Sequence, residues 1–135
     1  MDLSVHYAFV PHVDPDASLR FYRDVLGLEV RMDVGGGTMR WITVGPPGGE
    51  GTAIVIQPPL PDPSTTDEER RVVAELMAKG TYAMLTLGTD DLDGLFERMV
   101  AHDVDVVSEP ADQPYGVRDC AVRDPAGTLI RINQT

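Results

Sequence analysis

A chain of 135 residues is enough for one domain, and with 42% hydrophobic and 24% charged residues it can bury a core. Its 22 acidic against 11 basic side chains leave a net charge of −11, which excludes nucleic acid as a partner because phosphate binding needs a positive face. No apolar run reaches the roughly 18 residues of a membrane span, and the single cysteine, Cys120, excludes an internal disulfide framework.

The N-terminal stretch MDLSVHYAFVPHVD lacks the basic start and apolar run of a secretory signal. Together with the lone thiol, this makes a reducing cytoplasm the expected location. The acid excess reads first as solubility, and second as a field that favours cationic ligands.

In chain order, residues 5–10 read as a strand. Asp14-Pro15 supplies a helix cap followed by proline at the first helical position. Leu19, Tyr22 and Leu26 give that helix one apolar face, and Gly27 fits the left-handed residue beyond its end. Strands are predicted at 28–34, 39–44 and 52–57, separated by glycine and proline turns. Residues 58–63 (PPLPDP) form a stiff connector. Thr65 with Glu68 and Thr66 with Glu69 are overlapping capping boxes for a helix striped with Val72, Val73, Leu76 and Met77 and ending at Gly80. A strand at 82–87 follows, then a helix capped by Asp90 with a stripe of Leu92, Leu95, Phe96 and Met99. Strands at 104–107, 117–122 and 128–132 complete the chain.

The order is a repeat. A shift of 76 residues lays Gly51-Thr52-Ala53-Ile54-Val55-Ile56-Gln57 over Gly127-Thr128-Leu129-Ile130-Arg131-Ile132-Asn133, Leu28-Glu29-Val30 over Val104-Asp105-Val106, and Leu19 over Leu95. The expected fold is therefore α+β, one domain over residues 1–135. It comprises a first βαβββ module at about 1–57, a linker and helix at 58–80, and a second module at 81–135.

Phe21-Tyr22-Arg23-Asp24-Val25-Leu26-Gly27-Leu28-Glu29-Val30 in the first copy, with Tyr115-Gly116-Val117-Arg118-Asp119 and Asp124-Pro125-Ala126-Gly127-Thr128 in the second, resembles the vicinal oxygen chelate superfamily. That superfamily includes glyoxalase I, extradiol dioxygenases, fosfomycin-resistance proteins and the bleomycin-resistance protein. The resemblance implies paired modules that curl a mixed sheet into a cup for a small molecule, usually in a homodimer. It also implies up to four metal ligands, one from the first and one from the last strand of each copy.

Carried over, those positions are His6 and Tyr82 on the first strands and Val55 and Arg131 on the last, with Gln57 two residues beyond Val55 on the same face. Only His6 is a good ligand. Tyr82 is a phenol and a poor one, Val55 offers nothing, and Arg131 is a permanent cation. His12, His102 and Asp119 fall in other elements. No metal cofactor is expected from this set, although recruitment of a divalent ion by other ligands stays open.

The candidate ligand-binding residues are His6, Trp41, Gln57, Tyr82, Tyr115 and Arg131. Arg131 could hold an anionic group or pair with a carboxylate of the chain. His6, with Tyr82, could act in acid–base catalysis. Trp41 could wall an aromatic ligand. Cys120 lacks an activating base and reads as structural. Three functions remain open: metal-free binding of an antibiotic or other cationic or aromatic compound; a lyase, isomerase or dioxygenase using a recruited metal or His6; and an accessory protein with a vestigial cup.

Overall fold

The computed structural model describes residues 1–135. Its strands are β1 (Tyr7–Pro11), β2 (Glu29–Gly36), β3 (Met39–Gly45), β4 (Ala53–Gln57), β5 (Met84–Thr89), β6 (Asp105–Asp112), β7 (Arg118–Arg123) and β8 (Leu129–Gln134). They form two four-stranded mixed sheets, ordered β1-β4-β3-β2 and β5-β8-β7-β6, in which β1 and β4 are parallel, as are β5 and β8. The two tandem βαβββ units are thus present as expected. Each parallel pair needs a crossover, which the intervening helix and strands provide.

The first helix begins as α1 (Pro15–Leu19), capped by Asp14, whose Oδ1 accepts from the Asp16 and Ala17 amides. It passes directly into a π-helical turn, Arg20–Val25. That wider turn lets Phe21, Tyr22 and Val25 all face inward, where a regular helix would splay neighbours apart. Gly27, at φ +80°, then releases the chain into β2.

The linker helix, α2 (Asp67–Lys79), uses only one of the two capping boxes: Thr66 and Glu69 bond reciprocally. Its predicted stripe is largely unburied. Only Met77 is buried, and Val72 is exposed. The anchor lies at the C-terminal end, where the Met77 carbonyl and Gly80 sit against Gly127, a residue without a Cβ and at φ +89°. The third helix, α3 (Leu92–Ala101), is capped by Asp91 rather than Asp90, because Asp91 Oδ1 takes the Gly94 amide while the Asp90 carbonyl accepts from Gln134.

β6 runs five residues past its predicted end, through Pro110. Proline is tolerated there because β6 is an edge strand.

One continuous core joins the modules. Val10, Ile42, Val44, Ile54 and Ile56 from the first sheet meet Cys120, Val122, Ile130 and Ile132 from the second, with Tyr22, Leu92 and Met99 from the helices. At its centre the Tyr22 hydroxyl donates to Asp124 Oδ2 at 2.6 Å, and Asp124 Oδ1 accepts the Ala126 and Thr128 amides. The helix motif of one copy is therefore tied to the turn motif of the other. Cys120 lies in this core, where burial pushes its thiol up to about 11, so it is neither exposed nor ionised at neutral pH.

Candidate functional site

Because side chains alternate along a strand, each sheet turns one face to the core and leaves the other free of helix. On the first sheet the core face takes Val10, Ile42, Val44, Ile54 and Ile56. The register then puts Tyr7 beside Ala53, Phe9 and Thr43 beside Val55, Met32 beside Thr43, and Val34 beside Trp41 on the open face. Tyr7 is 52% exposed, Phe9 60% and Met32 58%; Val34 and Met39 are also exposed. An apolar strip of aromatic and methionine side chains thus stands open on a folded sheet.

The residues chosen from sequence do not share one face. Trp41 and Gln57 belong to the first sheet, both partly buried. His6 lies just ahead of β1, exposed, with its ring 6.0 Å from that of Tyr7. Tyr82 precedes β5 and is also exposed. No hydrogen bond joins His6 to Tyr82.

The parallel registers explain why these two do not correspond. Phe9 lies across from Val55 and Thr86 across from Arg131, so the first strands superpose one residue further along than the last strands do. Tyr7 therefore matches Met84, and the second copy is one residue shorter between its first and last strands. Tyr7, Phe9, Met32 and Met84 were missed as open-face residues. The alternation Leu3, Val5, Tyr7, Phe9 was the signal that could have found them.

The second sheet carries a polar cluster. Asp119 is 1% exposed. Its Oδ1 accepts from Gln113 Nε2 at 2.9 Å, and its Oδ2 from the Tyr115 hydroxyl at 2.8 Å and from Arg131 Nη1 at 3.4 Å. Burial alone would raise the Asp119 carboxyl, but the hydrogen bonds from Tyr115 and Gln113, with the charge of Arg131, hold it below its ordinary value. Tyr115 and Arg131 are thereby brought together, around a carboxylate of the chain. The Arg131 fork is half committed to Asp119, and its guanidinium is not a free cation.

A metal of the kind used across the fold family does not fit these residues. No group of three His, Cys, Asp or Glu side chains converges at ligand spacing. The first-strand side chains on the open faces include Tyr7, Phe9, Met84 and Thr86, and the last-strand ones are Ala53, Val55 and Gln57 in the first copy and Leu129, Arg131 and Asn133 in the second. Neither set offers an imidazole or carboxylate.

Several cavities accompany the sheets, four of them substantial. One of about 480 Å³ lies on the open face of the first sheet, lined by first-module residues alone, among them His6, Tyr7, Arg31, Met32 and Thr43. Three others, of about 680, 410 and 490 Å³, touch both modules but take none of Tyr7, Phe9, Trp41, Val55, Asp119 or Arg131. The cavity of about 680 Å³ takes in Met39 of the exposed strip alongside Asp105 and Arg123 of the second module, but none of the four brings Tyr7 or Phe9 together with Asp119 or Arg131.

The family model of the Glyoxalase/Bleomycin resistance protein/Dioxygenase superfamily matches residues 4–132. The chain belongs to that superfamily. The crystal structure of UcmS2 is similar at a TM-score of 0.85 and 27% identity, covering 100% of both chains. TnmS3, an antibiotic binding protein from Streptomyces sp. CB03234, is similar at a TM-score of 0.73 and 27% identity, over 98% of this chain and 97% of its own. YurT of Bacillus subtilis (strain 168), an uncharacterized protein, is 28% identical over 122 residues, which is 90% of this chain and 91% of YurT.

Proposed function

We propose that the chain binds a small, flat organic molecule, an antibiotic or other aromatic compound, on the open face of its first sheet, and releases it chemically unchanged and without using a metal. The observation that carries this reading is the exposed strip of Tyr7, Phe9, Met32, Val34 and Met39 beside Trp41. Aromatic rings give a ligand flat walls, and methionines adapt to its outline. The likeness to TnmS3, an antibiotic binding protein, extends over nearly the whole chain and supports the same reading. Against a vestigial cup stands the openness of that face, even though Arg131 is paired with Asp119.

The pocket is completed by a second copy of the chain. A contiguous apolar face of this kind is uncommon on a monomer. Met84 on the second sheet, 66% exposed, faces solvent in the same way. An open face from one copy against an open face from another would cover both.

The test uses Trp41, the only tryptophan, as a fluorescent reporter on the face itself. Titration with a panel of polycyclic aromatic compounds should quench or shift its emission with saturation, and a chelator should leave the affinity unchanged. Trp41→Ala, followed by calorimetry, should weaken binding about tenfold. Recovery of the ligand in altered form, or loss of binding with a chelator, overturns the proposal.

A further inference from the structure

The open face of the first sheet has one charged corner, and a backbone irregularity builds it. Between Val30 and Met32 the pairing of β2 with β3 shifts register, which leaves Arg31 as the extra residue of a bulge. Bulges re-aim a side chain out of the regular alternation. The Arg31 guanidinium lies over Gly45, where a Cβ would overlap it. Its Nη2 donates to the Pro46 carbonyl at 2.9 Å. Its Nε is sealed from solvent and has no partner, and Nη1 makes no hydrogen bond. No carboxylate lies within ion-pairing distance, in contrast to Arg23, Arg40, Arg118 and Arg131.

The cavity of about 480 Å³ beside it is lined by Arg31 and His6, with hydroxyls from Ser4, Tyr7, Thr43 and Thr52, and by no acidic residue. In a chain with 22 carboxylates, a pocket holding an unpaired guanidinium and no acid has the opposite charge preference to the molecule as a whole. The sealed Nε lies out of a ligand's reach, but Nη1 is neither sealed nor bonded, and an anionic oxygen in the cavity can take it in a charge-assisted bond.

From this we infer that Arg31 is the specificity-determining residue of the site, and that the ligand is an acidic aromatic compound whose carboxylate or ionised hydroxyl meets Arg31 while its rings lie along Tyr7 and Met32 and extend over the strip toward Trp41. The inference rests on the binding reading above and narrows it to an anionic ligand, against the cationic one that net charge alone suggests.

Two probes of the same shape separate the claims: 2-naphthoate and its neutral amide, 2-naphthamide, titrated against Trp41 emission at neutral pH. The expected result is that naphthoate binds about tenfold more tightly than the amide. In Arg31→Met the preference should fall to near unity while the amide still binds. Gly45→Ala, which displaces the guanidinium without removing it, should reduce the preference in the same way. Thermal melting of both variants confirms that the fold is kept. Equal binding of the two probes by the unmodified chain, or a preference that survives Arg31→Met, overturns the role of Arg31 and leaves the aromatic site standing. If neither probe binds, the site itself is refuted and the inference with it.

Discussion

Asp119 and Asp124 are both buried carboxylates, and they titrate in opposite directions. For Asp119, burial is outweighed by the bonds from Tyr115 and Gln113 and the charge of Arg131, so its folded-state value is depressed. A depressed acid stabilises the fold above its unfolded value, near ~4, and that contribution is lost as pH falls through the lower folded value. Asp119→Asn should therefore flatten the acid limb of the melting profile relative to the unmodified chain between about pH 5 and 2. An unchanged acid limb would contradict the cluster as described. For Asp124, burial dominates over the bonds from Tyr22 and the Thr128 and Ala126 amides, so its value is raised. Its contribution is fullest below the unfolded value and is lost as pH rises through the folded one. Tyr22→Phe deletes the 2.6 Å hydroxyl donor to this carboxyl and should destabilise the fold by about 1–3 kcal/mol in denaturant titrations at neutral pH.

Among the elements, α2 is the least committed to the core, with Met77 its only buried residue. Its C-terminal end is seated by contact with Gly127 and by Arg123, which donates to the Gly80 carbonyl at 3.2 Å. Gly127→Ala would thrust a methyl group against the Met77 carbonyl at a left-handed φ. It should lower the melting midpoint and speed hydrogen exchange in α2 before the sheets. Removing the α2 cap with Thr66→Ala should cost about 1 kcal/mol and no binding, since Thr66 is far in sequence and in role from the open face.

The order of strands and helices was legible because alternation and caps are local signals. The pairing of Val55 with Arg131 across copies also survives in the strand registers. The positions that escaped depend on relations between strands. Tyr7 and Met84 correspond only once the registers are known, and Arg31 gains its role from a bulge and from the bare Gly45 on the neighbouring strand. Arg131 was recognised as a cation, but the partner that half occupies it sits twelve residues away on β7.

For the molecule as a whole, the open apolar faces set an expectation about assembly. Sedimentation should find a dimer at micromolar concentration, and Phe9→Asp should shift it to monomer while leaving circular dichroism unchanged, because Phe9 is 60% exposed and outside the core. A monomeric unmodified chain would remove the second copy from the proposed pocket.

The bond between Tyr22 and Asp124 carries a consequence for the ancestry of the two halves. The shift that aligns the last strands lays Asp124 over Gly48, and the helix caps, Asp14 and Asp91, lay Tyr22 over Met99. The phenol thus survives only in the first copy and its acceptor only in the second. Two first modules placed together would have a donor with nowhere to donate, and two second modules an acid with no hydroxyl to meet it. A symmetric duplication has acquired complementary halves, so that mismatched pairings of like with like are penalised and the chain recognises its own other half.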